Sequence, residues 1–163
     1  MSAALEQLFA AHEIAAFETP FLLDGTSLRL DFRVQCNNGR FFAFQIDGPS
    51  HFSGNFLKQL SRAKQNEALA KTQENDARKN FWCKAHNVPL LRVAFSEAKE
   101  HFPEILRTFL AELRKQDKGE FIYKFVGEEY DRVAVKFLAP QPAKVLKGIS
   151  DQEFERRYSR PAF

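Results

Sequence analysis

Leu28-Arg29-Leu30-Asp31-Phe32-Arg33-Val34-Gln35 runs into Asn37-Asn38-Gly39 and returns as Arg40-Phe41-Phe42-Ala43-Phe44-Gln45-Ile46-Asp47. The outward run alternates, with Leu28, Leu30, Phe32 and Val34 on one side and Arg29, Asp31 and Arg33 on the other. A period of two is the signature of a strand, here spanning Ser27 to Gln35. The Asn-Gly pair is a hairpin turn. The returning run is almost wholly apolar, as expected of a strand buried on both faces. Gly48-Pro49 breaks it.

The remaining elements follow outward from this hairpin. Leu5, Leu8, Phe9 and His12 share a face at helical spacing, so Ala3 to Ala16 is predicted as an amphipathic helix with Ser2 as its N-cap. Pro20 ends that segment, and Asp24-Gly25-Thr26-Ser27 has turn chemistry. Asn55 to Asn87 is helical in composition. An interruption is expected near Asn75, where Asn75 or Asp76 would cap a second piece carrying Phe81 and Trp82. Val88 to Phe95 predicts a third central strand. Ser96 would cap a helix running to Gln116 that Pro103 interrupts or restarts. Phe121 to Val126 and Arg132 to Leu138 predict a terminal hairpin around Gly127-Glu128-Glu129. Ala139 to Pro142 reads as a loop, and Asp151 to Tyr158 as a short helix carrying Arg156 and Arg157. The order predicts one mixed α/β layer domain with a small C-terminal β-hairpin appendage. Its core would occupy residues 1–118, with 119–163 packed on it or extending it.

With 163 residues, 44% hydrophobic and 28% charged, the chain has room for a real core and the balance of a globular domain. Eighteen phenylalanines against one tryptophan predict a core packed with aromatic rings. A net charge of +3 tolerates a polyanionic partner without demanding one. Cys36 and Cys83 are too few and too far apart for a disulfide framework or a zinc cage, which predicts free thiols in a reducing compartment. No apolar stretch approaches the roughly 18 residues of a membrane span, so no membrane partner is expected. The start, Met1-Ser2-Ala3-Ala4-Leu5-Glu6, lacks the pattern of a secretory signal, and an intracellular protein is expected.

The two strands of the hairpin deliver Asp31, Gln45, Asp47 and, just beyond, His51 toward one place. Oxygen and imidazole groups gathered at strand ends suit a divalent-metal phosphodiesterase site. Each residue also has a plainer reading. Asp31 is an ordinary residue of a polar strand face, and Asp47-Gly48 a strand-ending turn. Asp76 fits an N-cap, and Lys79 an i,i+3 partner on the same helix face. Cys83 fits a small core residue. Arg92 fits an exposed strand arginine or a phosphate contact. Lys58, Arg62, Lys64, Arg78 and Lys84 fit either phosphate contacts along a nucleic-acid groove or a solvated helix face.

Leu30-Asp31-Phe32, Gln45-Ile46-Asp47-Gly48-Pro49-Ser50-His51-Phe52, Asp76-Ala77-Arg78-Lys79 with Cys83, and Pro89-Leu90-Leu91-Arg92-Val93 together resemble the PD-(D/E)XK nuclease superfamily. The likeness is to its very-short-patch-repair-like branch, which includes the EDxHD endonucleases, and it covers residues 1–110. It implies a restriction-endonuclease-like mixed sheet flanked by helices. It also implies a DNA endonuclease that uses Mg2+ or Mn2+. Asp31 matches the first metal-binding aspartate. Gln45 stands where the second acid, normally glutamate, is found, and the following carbonyl, that of Ile46, also faces the metal. Asp47 and His51 match the Asp-Gly-x-x-His element, with Asp47 near the metal. Asp76 and Lys79 match the following helix, and Glu6 the branch's N-terminal glutamate.

Physical chemistry assigns matching roles. His51 would take or give a proton, and Lys79 or Arg78 would stabilise the pentacovalent charge. The glutamine removes one negative charge beside a dication, which weakens metal binding by about a few kcal/mol at a partly buried site. The competing expectation is therefore a catalytically inactive nucleic-acid-binding module of the same fold. Ile46 to Phe52 also resembles the RAP domain, an RNA-associated relative, so RNA is the alternative partner. Cutting both strands at a defined sequence would call for a homodimer.

Overall fold

The computed structural model describes residues 2–116 and 119–132. Helix α1 (Ser2–Ala10) leads into strand β1 (Ile14–Glu18). Two short strands, β2 (Phe21–Leu22) and β3 (Arg29–Leu30), pair with each other. The hairpin follows as β4 (Phe32–Cys36) and β5 (Phe41–Asp47). Two 3-10 turns, Pro49–His51 and Gly54–Phe56, precede the long helix α2 (Arg62–Ala85). Then come β6 (Leu90–Ala94), a 3-10 turn at Lys99–His101, α3 (Phe102–Lys115), β7 (Tyr123–Val126) and the helical turn α4 (Glu129–Arg132).

Five strands form one mixed sheet in the order β1-β4-β5-β6-β7. The first two pairings are antiparallel, and β5, β6 and β7 run parallel. Parallel neighbours need crossovers; α2 links β5 to β6, and α3 links β6 to β7. Alternation along the strands sorts the two faces. Phe42 and Phe44 of β5 and Leu91 and Val93 of β6 pack with Leu5, Leu8, Leu106, Phe109 and Leu110 of α1 and α3. Ala43 and Leu90 point the other way and pack with Trp82 and Cys83 of α2. Gln45, Asp47 and Arg92 share the parity of Ala43 and Leu90, so they lie under α2. The aromatic core expected from composition is visible as ring pairs such as Phe42–Phe109 and Phe32–Phe44, with centroids 5.2 and 5.7 Å apart.

Several sequence expectations are corrected. The first helix stops at Ala10 rather than Ala16, because His12 takes a left-handed φ of 57° and turns the chain into β1, which pairs with β4. Leu5 and Leu8 are buried as predicted, but Phe9 and His12 are exposed. The predicted strand from Ser27 to Gln35 is divided at Asp31, whose side chain takes the bond that a ladder carbonyl would take: Asp31 Oδ2 accepts from the Ile46 amide at 2.7 Å. The expected break near Asn75 is absent. Helix α2 runs unbroken past Asn75 and Asp76 and is capped by Ser61, so Asp76 is not an N-cap. Helix α3 begins at Phe102 with Pro103 in its first turn, where its missing N–H costs nothing. Ser96 does not cap it; its hydroxyl donates to Glu129 Oε2 at 2.6 Å.

The C-terminal hairpin is corrected too. Strand β7 joins the main sheet beside β6 and so extends the core, and Arg132 belongs to a helical turn rather than to a return strand. The rest of the predicted return strand, the 139–142 loop and the 151–158 helix lie outside the described residues.

Candidate functional site

The C-terminal end of β5 and the middle of α2 face each other across a buried polar cluster. Strand pairing sets its first two members. Phe32 opposes Phe44 at the end of the antiparallel register, and just before it Asp31 Oδ2 accepts from the Ile46 amide, which sets Asp31 against the Gln45–Ile46 segment. In the parallel register on the other side, Gln45 is level with Arg92. Helix α2 supplies Asp76, Lys79, Asn80 and Cys83, spaced so that one helix stripe faces the sheet. The turn Pro49–His51 brings His51 over the end of β5.

Arg92 is the hub. Its side chain is wholly buried, and an unpaired buried guanidinium would be very costly. It meets that cost with a full set of acceptors. Nε donates to Asp47 Oδ2 at 2.6 Å, and Nη2 to Asp47 Oδ1 at 2.7 Å. The same Nη2 donates to Asp76 Oδ1 at 2.8 Å, while Nη1 donates to Asn80 Oδ1 at 2.7 Å and to the Asp76 carbonyl at 3.5 Å. Five N–H groups thus have five acceptors. The Tyr130 hydroxyl donates to Asp47 Oδ2 at 2.6 Å, and burial, with the Asp47 charge behind it, pushes that phenol up so that it stays a donor. His51 Nδ1 lies 2.6 Å from Asp76 Oδ2 and 3.4 Å from Asp47 Oδ1. Burial pushes the Asp76 carboxyl up, but Arg92, His51 and Lys79 outweigh it and hold it down at about 2.

Asp31 and Lys79 are placed differently. Asp31 is half-buried, and burial raises its carboxyl above the usual range against the pull of the Ile46 amide and of Lys79. Its second oxygen accepts no hydrogen bond among the described residues. Gln45 donates from Nε2 to the Ile46 carbonyl at 3.3 Å, which orients the amide and leaves Oε1 buried with no donor. Lys79 is only 14% exposed, and its ammonium makes a single ion pair among the described residues, 3.8 Å from Asp76. Burial pulls its pKa down while Asp76, Asp47 and Asp31 pull it up, and burial wins.

Two oxygen sets can be tested against a divalent ion. Ligand atoms of Asp47, His51 and Asp76 lie within 4.8 Å of one another, which is metal-site spacing. Yet each carboxylate oxygen of that trio already holds a donor, and Arg92 supplies the positive charge a cation would bring. The trio is held as an ion-pair network in this structure, and a cation bound there would have to displace those donors. Asp31 and Gln45 offer a second oxygen set. Among the described residues the buried Gln45 carbonyl oxygen has no donor and one Asp31 carboxylate oxygen has none, and such hard oxygens suit Mg2+ or Mn2+. The Ile46 carbonyl is turned to Gln45's own amide.

Of the residues selected from sequence, Asp31, Gln45, Ile46, Asp47, His51, Asp76 and Lys79 are brought together. Glu6 is not: it is exposed on α1, on the far face of the sheet. Arg92 is neither an exposed arginine nor a phosphate contact, because it is buried against two carboxylates. Arg78 is half-buried and paired with Glu74 at 2.6 Å, whereas Lys58, Arg62, Lys64 and Lys84 are exposed. Cys83 is fully buried, and burial pushes its thiol up to about 12, so it packs as a core residue. Sequence reading missed Asn80 and Tyr130. Asn80 carried a usable signal, one turn beyond Asp76 on the same helix face; Tyr130 carried none. Searches of family models, of curated proteins and of solved structures returned no match to this chain.

Proposed function

We propose that this protein is a divalent-metal-dependent endonuclease that hydrolyses DNA phosphodiester bonds on a restriction-endonuclease-like sheet. The observation that carries the reading is the pairing of a buried Gln45 Oε1 that has no donor among the described residues with Asp31, whose carboxylate is held by the amide of Ile46, the residue after Gln45, and keeps one oxygen without a hydrogen bond. Asp31 and Gln45 would hold Mg2+ or Mn2+. The ion would offset charge on the phosphorus oxygens and supply water ionised near neutral pH. Lys79, mostly buried and short of acceptors, would donate to a phosphate oxygen as negative charge builds there. His51, with Nδ1 bound to Asp76, would use Nε2 to accept a proton from water. The exposed Lys58, Arg62, Lys64 and Lys84 would meet backbone phosphates. A homodimer would set two such sites against two strands.

A second reading is an inactive nucleic-acid-binding module, with RNA as a partner. It is favoured by the charge balance: Arg92 and Lys79 together offset Asp47 and Asp76, which leaves Asp31 as the carboxylate of the cluster without an ion pair among the described residues. Calorimetric titration with Mn2+ separates the two. The endonuclease reading predicts saturable heat that disappears in Asp31→Asn. Absence of heat with folded wild-type protein favours the binding module.

A further inference from the structure

The buried network around Arg92 does more than pair two aspartates with a guanidinium. Asp76 Oδ1 is taken by Arg92 Nη2 at 2.8 Å, its backbone carbonyl by Nη1 at 3.5 Å, and its other oxygen faces His51 Nδ1 at 2.6 Å. A carboxylate clamped by a guanidinium is ionised and can only accept. The proton in the short contact to His51 therefore belongs to Nδ1. That fixes the neutral ring as the Nδ1–H tautomer and leaves the Nε2 lone pair bare.

The remaining bonds immobilise the clamp. Asn80, one turn beyond Asp76, takes Nη1 at 2.7 Å with a neutral oxygen. A third carboxylate at that position would add an uncompensated charge to Asp47, Asp76, Arg92 and Lys79, which sum to zero. Asp47 anchors the far side of the guanidinium through two parallel bonds, and Tyr130 holds Asp47 in turn. Strand β5, helix α2 and the helical turn α4 are thereby tied to one side chain on β6.

We infer that Arg92 is a positioning residue: held in place by its two bonds to Asp47, it locks the tautomer and orientation of His51 through Asp76. The use of Nε2 as a proton acceptor rests on the proposed endonuclease; the tautomer lock does not. It assigns Asp47 and Asn80 to holding Arg92 against Asp76, and Tyr130 to holding Asp47.

The test is a long-range proton–nitrogen spectrum of the histidine rings of the full chain, recorded at alkaline pH where neutral imidazole dominates. His51 is identified by the loss of its signals in His51→Gln. The expected result is a single Nδ1–H pattern for His51. Asn80→Ala, which loosens one side of Arg92 but keeps both charge pairs, should shift His51 toward a mixture with the Nε2–H form. Tyr130→Phe should leave the tautomer unchanged, because its hydroxyl donates to Asp47. A wild-type His51 that is chiefly Nε2–H overturns the inference, and needs no variant to fold. Plasmid cleavage measured on the same samples separates the two claims. Absent cleavage with an intact Nδ1–H pattern supports the lock and removes the endonuclease reading. A mixed wild-type pattern overturns the lock even where cleavage is seen.

Discussion

At the scale of single residues, the cluster separates carboxylates by what they cost the fold. Asp31 is held above its ordinary range mainly by burial. A raised folded value means that stability is lost as pH rises from the unfolded value through the folded one. Asp31→Asn keeps an acceptor for the Ile46 amide and sheds the charge. It is expected to raise the melting temperature at neutral pH without divalent ions, the gap closing as pH falls below about 4. Thermal melts across that range check this. Asp76 behaves oppositely. Its folded value is depressed to about 2, so the stability it contributes is complete above about 4 and is lost as pH falls toward 2. Urea unfolding at pH 4 and pH 2 should show that acid limb in wild type and a shallower one in Asp76→Asn. The aspartates were readable as site candidates from their strand-end and helix positions. Their division into one free and two paired carboxylates was not, because it depends on Arg92. An arginine inside the apolar run Leu90-Leu91-Arg92-Val93-Ala94 does carry the warning that a buried strand charge needs partners.

At the scale of elements, the polar cluster is closed by the segment after β7. Gly127 sits at φ 128°, and a Cβ there would stand 2.5 Å from the Ala94 side chain. The turn therefore needs glycine both for its backbone and for its packing against β6. Gly127→Ala is expected to cost about 1–3 kcal/mol in denaturant unfolding and to loosen Tyr130 from Asp47. The hairpin of β4 and β5 was legible because alternation, an Asn-Gly turn and an apolar return all agree. Ile14 to Glu18 was misread because Leu5, Leu8 and His12 extend a helical spacing beyond Ala10. Pairing with β4, a contact distant in sequence, decides that stretch. Helix α2 was predicted to break at Asn75 and Asp76 because such residues favour caps. Their environment wins: Asp76 and Asn80 each satisfy their side chains on Arg92, so neither competes for the backbone.

At the scale of the molecule, one end of a mixed sheet carries Asp31 and Gln45, the turn after β5 adds His51, and the helix above supplies Lys79 and exposes Arg62 and Lys64 in its first turns. The opposite face is the apolar layer of α1 and α3, where Glu6 lies exposed and apart. Among the described residues no helix is long and apolar enough to cross a membrane. The exposed basic groups and the oxygen pair suit a polyanionic substrate and a hard cation. The most direct test is cleavage of supercoiled plasmid with Mg2+ and with Mn2+, run beside Asp31→Asn. Metal-dependent nicking or linearisation that vanishes in the variant is the predicted result. Intact plasmid with folded wild-type protein and both metals, or equal cleavage by Asp31→Asn, would contradict it.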